Sequence, residues 1–200
     1  MKNYLKALAL LNEQPMVAAS IETSIKADLP NWCIVGGLIR DFAWGKLLSR
    51  SITPRDIDLI YFDGKDTSPE TDWEIESDLQ RTSGLPFRVR NQARMHSFNS
   101  EERYSSVIDA MSKFPTTVSA IGITSNRKLD PIIFSVFGYE ALFNPVFQIT
   151  PHFISNNRRS DFIKYLDRNK LRQRWEEVPV HAEIDCRGTK KSGMFCVATS

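Results

Sequence analysis

Between Ile34 and Asp63 the chain reads I-V-G-G-L-I-R-D, then a polar gap, then R-D-I-D-L-I-Y-F-D. An apolar run ends on two glycines and passes into a helix start. A second apolar run opens on Asp56 and Asp58 at alternate positions. Side chains two apart on a strand project to the same face, so these two aspartates present a pair of hard oxygen ligands side by side. That pair suits Mg²⁺ or Mn²⁺ held together with phosphate oxygens. Gly36 and Gly37 lack Cβ atoms, so the backbone can turn sharply there and let an anion approach its N–H groups. One half of the stretch is fitted to a polyphosphate and the other to the cation that neutralises it.

The flanking sequence sets this stretch in an α/β frame. Leu5, Leu8, Ala9 and Leu11 recur at helical spacing in residues 3–13, and Ile21 and Ile25 in residues 16–28, with Pro15 between. The pattern predicts a helical hairpin over about 3–28. A short strand from Trp32 to Val35 follows, then a helix over about 38–48 with Phe42, Trp44, Leu47 and Leu48 inward, then a strand over 56–62. Ser68-Pro69-Glu70 supplies a capping hydroxyl, a proline at the first helical position and an acid in the first turn. The helix it opens runs to about Thr82, and Ser83-Gly84 ends it. A third strand is predicted from Phe87 to about Ala93. Strand, helix and strand in this order, with short connections, predict an α/β fold with a mixed sheet flanked by helices.

Further on, the pattern predicts a helix over 101–113, strands over 117–124 and 131–136 joined near Asn126, and a short helix over 137–143. Residues 144–150 read as an irregular apolar segment, and Ser160 as the cap of a last helix to about Trp175. We expect one domain over 1–185, with its core at about 32–150, and a flexible tail over 186–200.

On the strand from Phe87, alternation puts Arg88, Arg90, Gln92 and Arg94 on one face and Phe87, Val89, Asn91 and Ala93 on the other. Guanidiniums beside two aspartates either offset them or hold phosphates in fork geometry; the bland alternative is an edge strand protected by charge. A buried Asn91 needs hydrogen-bond partners, which gives it a positional role. Arg94 and His96 are candidate phosphate or base contacts, although His96 also reads as a structural histidine. Asp41 is either an exposed acid paired locally or a supporting group.

Composition excludes several classes. Lys and Arg nearly balance Asp and Glu, for a net charge of +2 over 200 residues, so no strongly basic nucleic-acid binder is indicated. The basic run Arg158, Arg159, Lys164, Arg168, Lys170, Arg172 and Arg174 is interleaved with Asp161 and Asp167 and reads as a solvated helix face. Cys33, Cys186 and Cys196 have no metal-ligand spacing and leave an odd thiol, which suits a reducing cytoplasm. No signal peptide and no membrane span is read.

Gly36-Gly37 opening a helix, Arg40-Asp41 behind it, and the D-x-D of Asp56 and Asp58 resemble the DNA-polymerase-β-like nucleotidyltransferase superfamily. The segment V-R-N-Q-A-R-M-H (Val89–His96), with Tyr104, Asp109-Ala110 and Phe114-Pro115-Thr116-Thr117, is similar to a bacterial nucleotidyltransferase family of about this length, over roughly residues 32–151. The resemblance implies transfer of a nucleoside monophosphate from an NTP to a hydroxyl on a small molecule, RNA or protein, with Mg²⁺ or Mn²⁺ as cofactor. It implies Asp56 and Asp58 as catalytic metal ligands and Gly36, Gly37, Arg40, Arg90 and Arg94 as nucleotide or phosphate contacts. Asp41, Asn91, Gln92 and His96 are implied as support. One departure stands out: the resemblance implies a third carboxylate where this chain has Arg88. Neither Asp63 nor Asp109 replaces it well. The alternative is an inactive nucleotide- or RNA-binding module of the same fold.

Overall fold

The computed structural model describes residues 2–126 and 128–183; the tail expected from Cys186 onward lies outside the described residues. The central sheet is built from β1 (Cys33–Val35), β2 (Ile57–Tyr61), β3 (Phe87–Asn91), β4 (Ile121–Ser125) and β5 (Pro131–Ser135), in the order β3-β2-β1-β4-β5. Only β2 and β3 run parallel; the other pairings are antiparallel. A parallel pair needs a crossover, and Pro69–Ser83 supplies it as a helix. The Ser68 hydroxyl accepts from the Thr71 N–H at its start, and Gly84 ends it in the left-handed region at φ +70°, as the sequence predicts. The register lines up Val35, Asp58 and Arg88 across three neighbouring strands.

The helices are α1 (Lys2–Asn12), α2 (Pro15–Lys26), α3 (Gly37–Leu47), α4 (Pro69–Ser83), α5 (Gln92–Phe98), α6 (Val107–Ser112), α7 (Glu140–Phe143), α8 (Pro151–Ser155), α9 (Arg159–Arg168) and α10 (Leu171–Arg174). Alternation along β2 sends Ile57, Leu59 and Tyr61 to one face, where they join Phe87, Val89, Leu11, Ile21, Leu38 and Leu79 in the main core. Trp44 lies wholly inside that core. Its indole N–H donates to the Ala141 carbonyl at 2.8 Å, and its ring meets Phe147 and Trp175 edge-on at 5.0 and 5.4 Å. One residue of α3 thereby anchors segments about a hundred positions away, and burying such a ring is among the larger single contributions a side chain makes. The opposite face carries a smaller core of Cys33, Val35, Ile60, Val107, Met111 and Ala120. Asp56 and Asp58 share that face by alternation, at the end the small core leaves open.

Several predicted boundaries are corrected. The strand from Phe87 stops at Asn91, because the Asn91 side chain accepts from the Ala93 N–H and caps α5; a local cap outcompetes the strand. The helix predicted over 101–113 shrinks to α6, capped by Ser106. Glu101 instead reaches across to His152 Nε2 at 2.7 Å and Arg158 Nη1 at 2.5 Å. The last helix starts at Arg159 rather than at a Ser160 cap. It breaks at Lys170, which sits in the left-handed region at φ 53°. Residues 118–120 form a 3₁₀ turn rather than strand, and the irregular segment contains Phe147–Gln148, a strand paired with Val180–His181. Leu47, expected inward, is 45% exposed.

Candidate functional site

Gly36 is the residue before α3 and adopts φ 71°, ψ −118°, a backbone region essentially reserved for glycine. A Cβ placed there would lie 3.2 Å from Asp58 Oδ2. One placed on Gly37 would lie 3.6 Å from Asp56 Oδ1 and 3.7 Å from Arg40 Nη2. Each glycine therefore abuts one aspartate. The cause is the antiparallel pairing of Val35 with Asp58, which sets the exit of β1 against the entry of β2. Both aspartates keep some exposure, and the first turn of α3 turns its unpaired N–H groups and positive dipole end toward them.

Burial and the neighbouring Asp56 charge push the Asp58 carboxyl up to about 6, against the pull of Arg88, Arg40 and Arg90. Arg88 sits beside Asp58 in the β2–β3 register and holds its Nε 3.3 Å from Asp56 Oδ2. Arg40 is buried, and its Nε donates to Asp41 Oδ1 at 2.9 Å. The second Asp41 oxygen accepts from Arg174 Nη2 at 2.8 Å, which also donates to the Thr53 carbonyl at 2.6 Å. Asp41 is consumed between two guanidiniums, while Arg40 remains a fixed charge beneath the glycine bend.

A cleft of about 1100 Å³ opens from this bend. Gly36, Asp58, Arg90 and Gln92 line it on the sheet side, with Lys164, Tyr165 and Arg168 on the α9 wall and Phe98, Phe114 and Phe153 as its apolar surfaces. Ser119 Oγ lies 3.4 Å from the Tyr165 hydroxyl and 2.5 Å from Thr116 Oγ1. Burial raises the Tyr165 pKa, and the charges of Asp58 and Asp56 act in the same direction. Arg90 reaches the cleft while donating to Glu76 Oε2 at 2.8 Å.

Other predicted contacts lie elsewhere. With α5 beginning at Gln92, the guanidinium row ends at Arg90; Gln92 still lines the cleft, but as a helix residue. Arg94 turns inward to Asp72, a fully buried carboxylate that also accepts from the Tyr61 hydroxyl at 2.7 Å and the Asn91 N–H at 3.0 Å. Asn91 donates to the Asp63 and Asp66 carbonyls at 2.8 and 2.7 Å and accepts from the Asp63 N–H at 3.1 Å, so its amide pins the loop after β2. His96 sits against the Ala93 carbonyl at 3.1 Å, edge-on to Tyr104. Sequence reasoning missed Ser119, Tyr165 and the cleft side of α9. The helical spacing of α9 was visible, but nothing local says which wall these residues face.

Asp63 Oδ1 accepts from the Lys65 N–H and Asp109 Oδ2 from the Ser105 N–H, both at 2.8 Å. Among the described residues no third His, Cys, Asp or Glu completes a metal-binding group with the two aspartates. Two adjacent carboxylates beside a glycine cradle fit a hard cation that would draw its other ligands from water and phosphate.

A mixed five-stranded sheet flanked by helices matches the fold of a nucleotidyltransferase head domain. The chain belongs to a nucleotidyltransferase family, which it matches over residues 22–180. It is similar, at 28% identity and a TM-score of 0.78, to an NMR structure described as revealing a CCA-adding enzyme head domain; the match covers 90% of this chain and 97% of that one. A tRNA nucleotidyltransferase crystallised with a primer tRNA and an incoming ATP analogue matches at 16% identity and a TM-score of 0.45, over 82% of this chain and 46% of that one. A likeness at that level carries no argument. No curated protein matches the chain in sequence.

Proposed function

We propose that this protein is a Mg²⁺- or Mn²⁺-dependent nucleotidyltransferase that moves a nucleoside monophosphate from an NTP to a hydroxyl acceptor. The observation that carries the reading is the close approach of Gly36 to Asp58 and of Gly37 to Asp56, with Gly36 and Asp58 lining one cleft. Membership of the nucleotidyltransferase family and the likeness to a CCA-adding enzyme head support nucleotidyl transfer.

In this reading Asp56 and Asp58 hold the cation, which supplies charge stabilisation at the α-phosphate and the leaving pyrophosphate. Gly36, Gly37 and the first turn of α3 receive phosphate oxygens through backbone N–H groups. Arg40 adds a buried positive charge under them, and Arg90 offers a guanidinium from the cleft wall. Asp58, at about 6, is largely ionised at neutral pH and so stands ready as an oxygen ligand. Arg94, Asn91, Asp41 and His96 act as supports of the scaffold. Residues 1–185 are taken as one domain. No helix among the described residues is long and apolar enough to cross a membrane, and the odd cysteine count, without metal-ligand spacing, supports a cytoplasmic location.

One contact favours a second reading, a nucleotide-binding module without the chemistry. Arg88 reaches Asp56 from the strand where the resemblance implies a third carboxylate. Incubation with each α-labelled ribonucleoside triphosphate, Mg²⁺ or Mn²⁺ and a cell extract separates the two. Label transferred to an acceptor, and lost in D56N/D58N, is the expected result. A nucleotide-dependent thermal shift without transfer leaves the binding module; absence of both signals removes either reading.

A further inference from the structure

We propose that α9 supplies the second half of the nucleotide site: Lys164 and Arg168, one helical turn apart on its cleft face, clamp the β- and γ-phosphates of the NTP. The proposal rests on the nucleotide-binding reading above and adds residues that the glycine–aspartate site does not contain.

The helix is oriented by its apolar stripe. Phe162 and Leu166 are fully buried, which at 3.6 residues per turn turns Arg158, Asp161, Lys164, Tyr165 and Arg168 along one adjoining side. All five line the cleft that Gly36 and Asp58 also line. The C-terminal end of α9 is the end nearest the aspartates. Arg55, next in the chain to Asp56, donates to the Asn169 carbonyl at 3.4 Å, and Tyr165 reaches Ser119 on the opposite side of the cleft floor.

Charge accounting then singles out two residues. Of the cleft cations, Arg90 is held by Glu76 at 2.8 Å and Lys113 by Asp109 at 3.1 Å. Arg158 is held by Glu101 at 2.5 Å and Asp161 at 3.1 Å. Lys164 approaches only Asp161, at 3.9 Å, and that carboxylate is already engaged by Arg158. Arg168 has no ion pair among the described residues. Both side chains are exposed, so no carboxylate must be displaced before they can bind an anion.

A polyphosphate tail needs such groups. The N-terminus of α3 contributes about half an elementary charge, and Arg40 is already shared with Asp41. Lys164 serves as a mobile point charge and Arg168 as a fork for two phosphate oxygens. The Tyr165 hydroxyl, 3.4 Å from Ser119 Oγ, adds a neutral polar group to the same cleft.

The test compares wild type with K164A/R168A by calorimetric titration in Mg²⁺. The probes are β,γ-imido analogues of the ribonucleoside triphosphates and the matching monophosphates, the latter read by competition where binding is weak. The clamp predicts that triphosphate affinity drops about tenfold or more while monophosphate affinity changes less than about twofold. The charge-conserving K164R/R168K recovers most of the loss. Equal triphosphate affinity in wild type and K164A/R168A overturns the clamp and leaves the glycine–aspartate site standing, as does a parallel loss for both ligands. Wild type that binds no nucleotide overturns the underlying reading itself.

Discussion

Arg88 rests on Asp56, its Nε 3.3 Å from Oδ2, at the strand position directly beside Asp58. The arginine side chain is 59% exposed, so solvent screens the pair and its net contribution is about 1 kcal/mol or less. A cation competing for Asp56 has little to displace. Arg88→Ala is expected to raise Mn²⁺ affinity of the nucleotide-free protein severalfold in a paramagnetic titration. Weaker Mn²⁺ binding in the variant would mean that Arg88 supports the site rather than occupying it.

The two glycines are not equivalent. Gly36 has a positive φ, and a Cβ there meets Asp58 Oδ2 at 3.2 Å; Gly37 is helical, and its nearest contact would be 3.6 Å. Gly36→Ala is expected to cost about 1–3 kcal/mol from backbone strain alone, with loss of nucleotide binding. Gly37→Ala keeps near-native stability. Urea denaturation of both variants checks the contrast, and equal costs would contradict it.

Asp58 makes metal-free stability depend on pH. Its carboxyl is raised from 3.8 to about 6 in the folded chain, so the folded state holds the proton more tightly than the unfolded one. Asp58's own contribution to stability is therefore greatest below about pH 3.8. That contribution falls as pH climbs from about 3.8 to about 6, by up to about 3 kcal/mol, and then levels. Melts in EDTA across that window should show the wild type losing stability relative to D58N. Parallel curves would contradict it.

Asp72 holds Tyr61, the Asn91 backbone and Arg94 away from water. Asp72→Ala strands the Arg94 charge, whose side chain is only 12% exposed, and is expected to cost about 3–5 kcal/mol. Arg94→Ala destabilises too, while nucleotide affinity of the folded fraction stays unchanged. A selective loss of nucleotide affinity in a normally stable Arg94 variant would return this residue to the site.

The glycine bend and the two aspartates were legible because their geometry is local: a period of two along β2 and a missing Cβ before α3. Ser68-Pro69 and Gly84 marked α4 for the same reason. Asn91 itself was read correctly as a buried positioning residue, but the end of β3 was misread, because the bond from the Ala93 N–H to the Asn91 side chain starts α5 where alternation alone extends the strand. Asp41 and Arg174 lie 133 positions apart in sequence, so no spacing argument finds them. Lys164 and Arg168 looked like ordinary solvated cations, since only the packing of Phe162 and Leu166 reveals that their side of α9 faces the aspartates.

The central claim is that the glycine bend and the aspartate pair grip polyphosphate and cation together. Titration of a β,γ-imido NTP with and without Mg²⁺, on wild type and D56N/D58N, tests it most directly. The account predicts that Mg²⁺ tightens nucleotide binding about tenfold or more in wild type and has no effect in the double variant. Nucleotide binding indifferent to Mg²⁺, or the same enhancement without the two carboxylates, would contradict it.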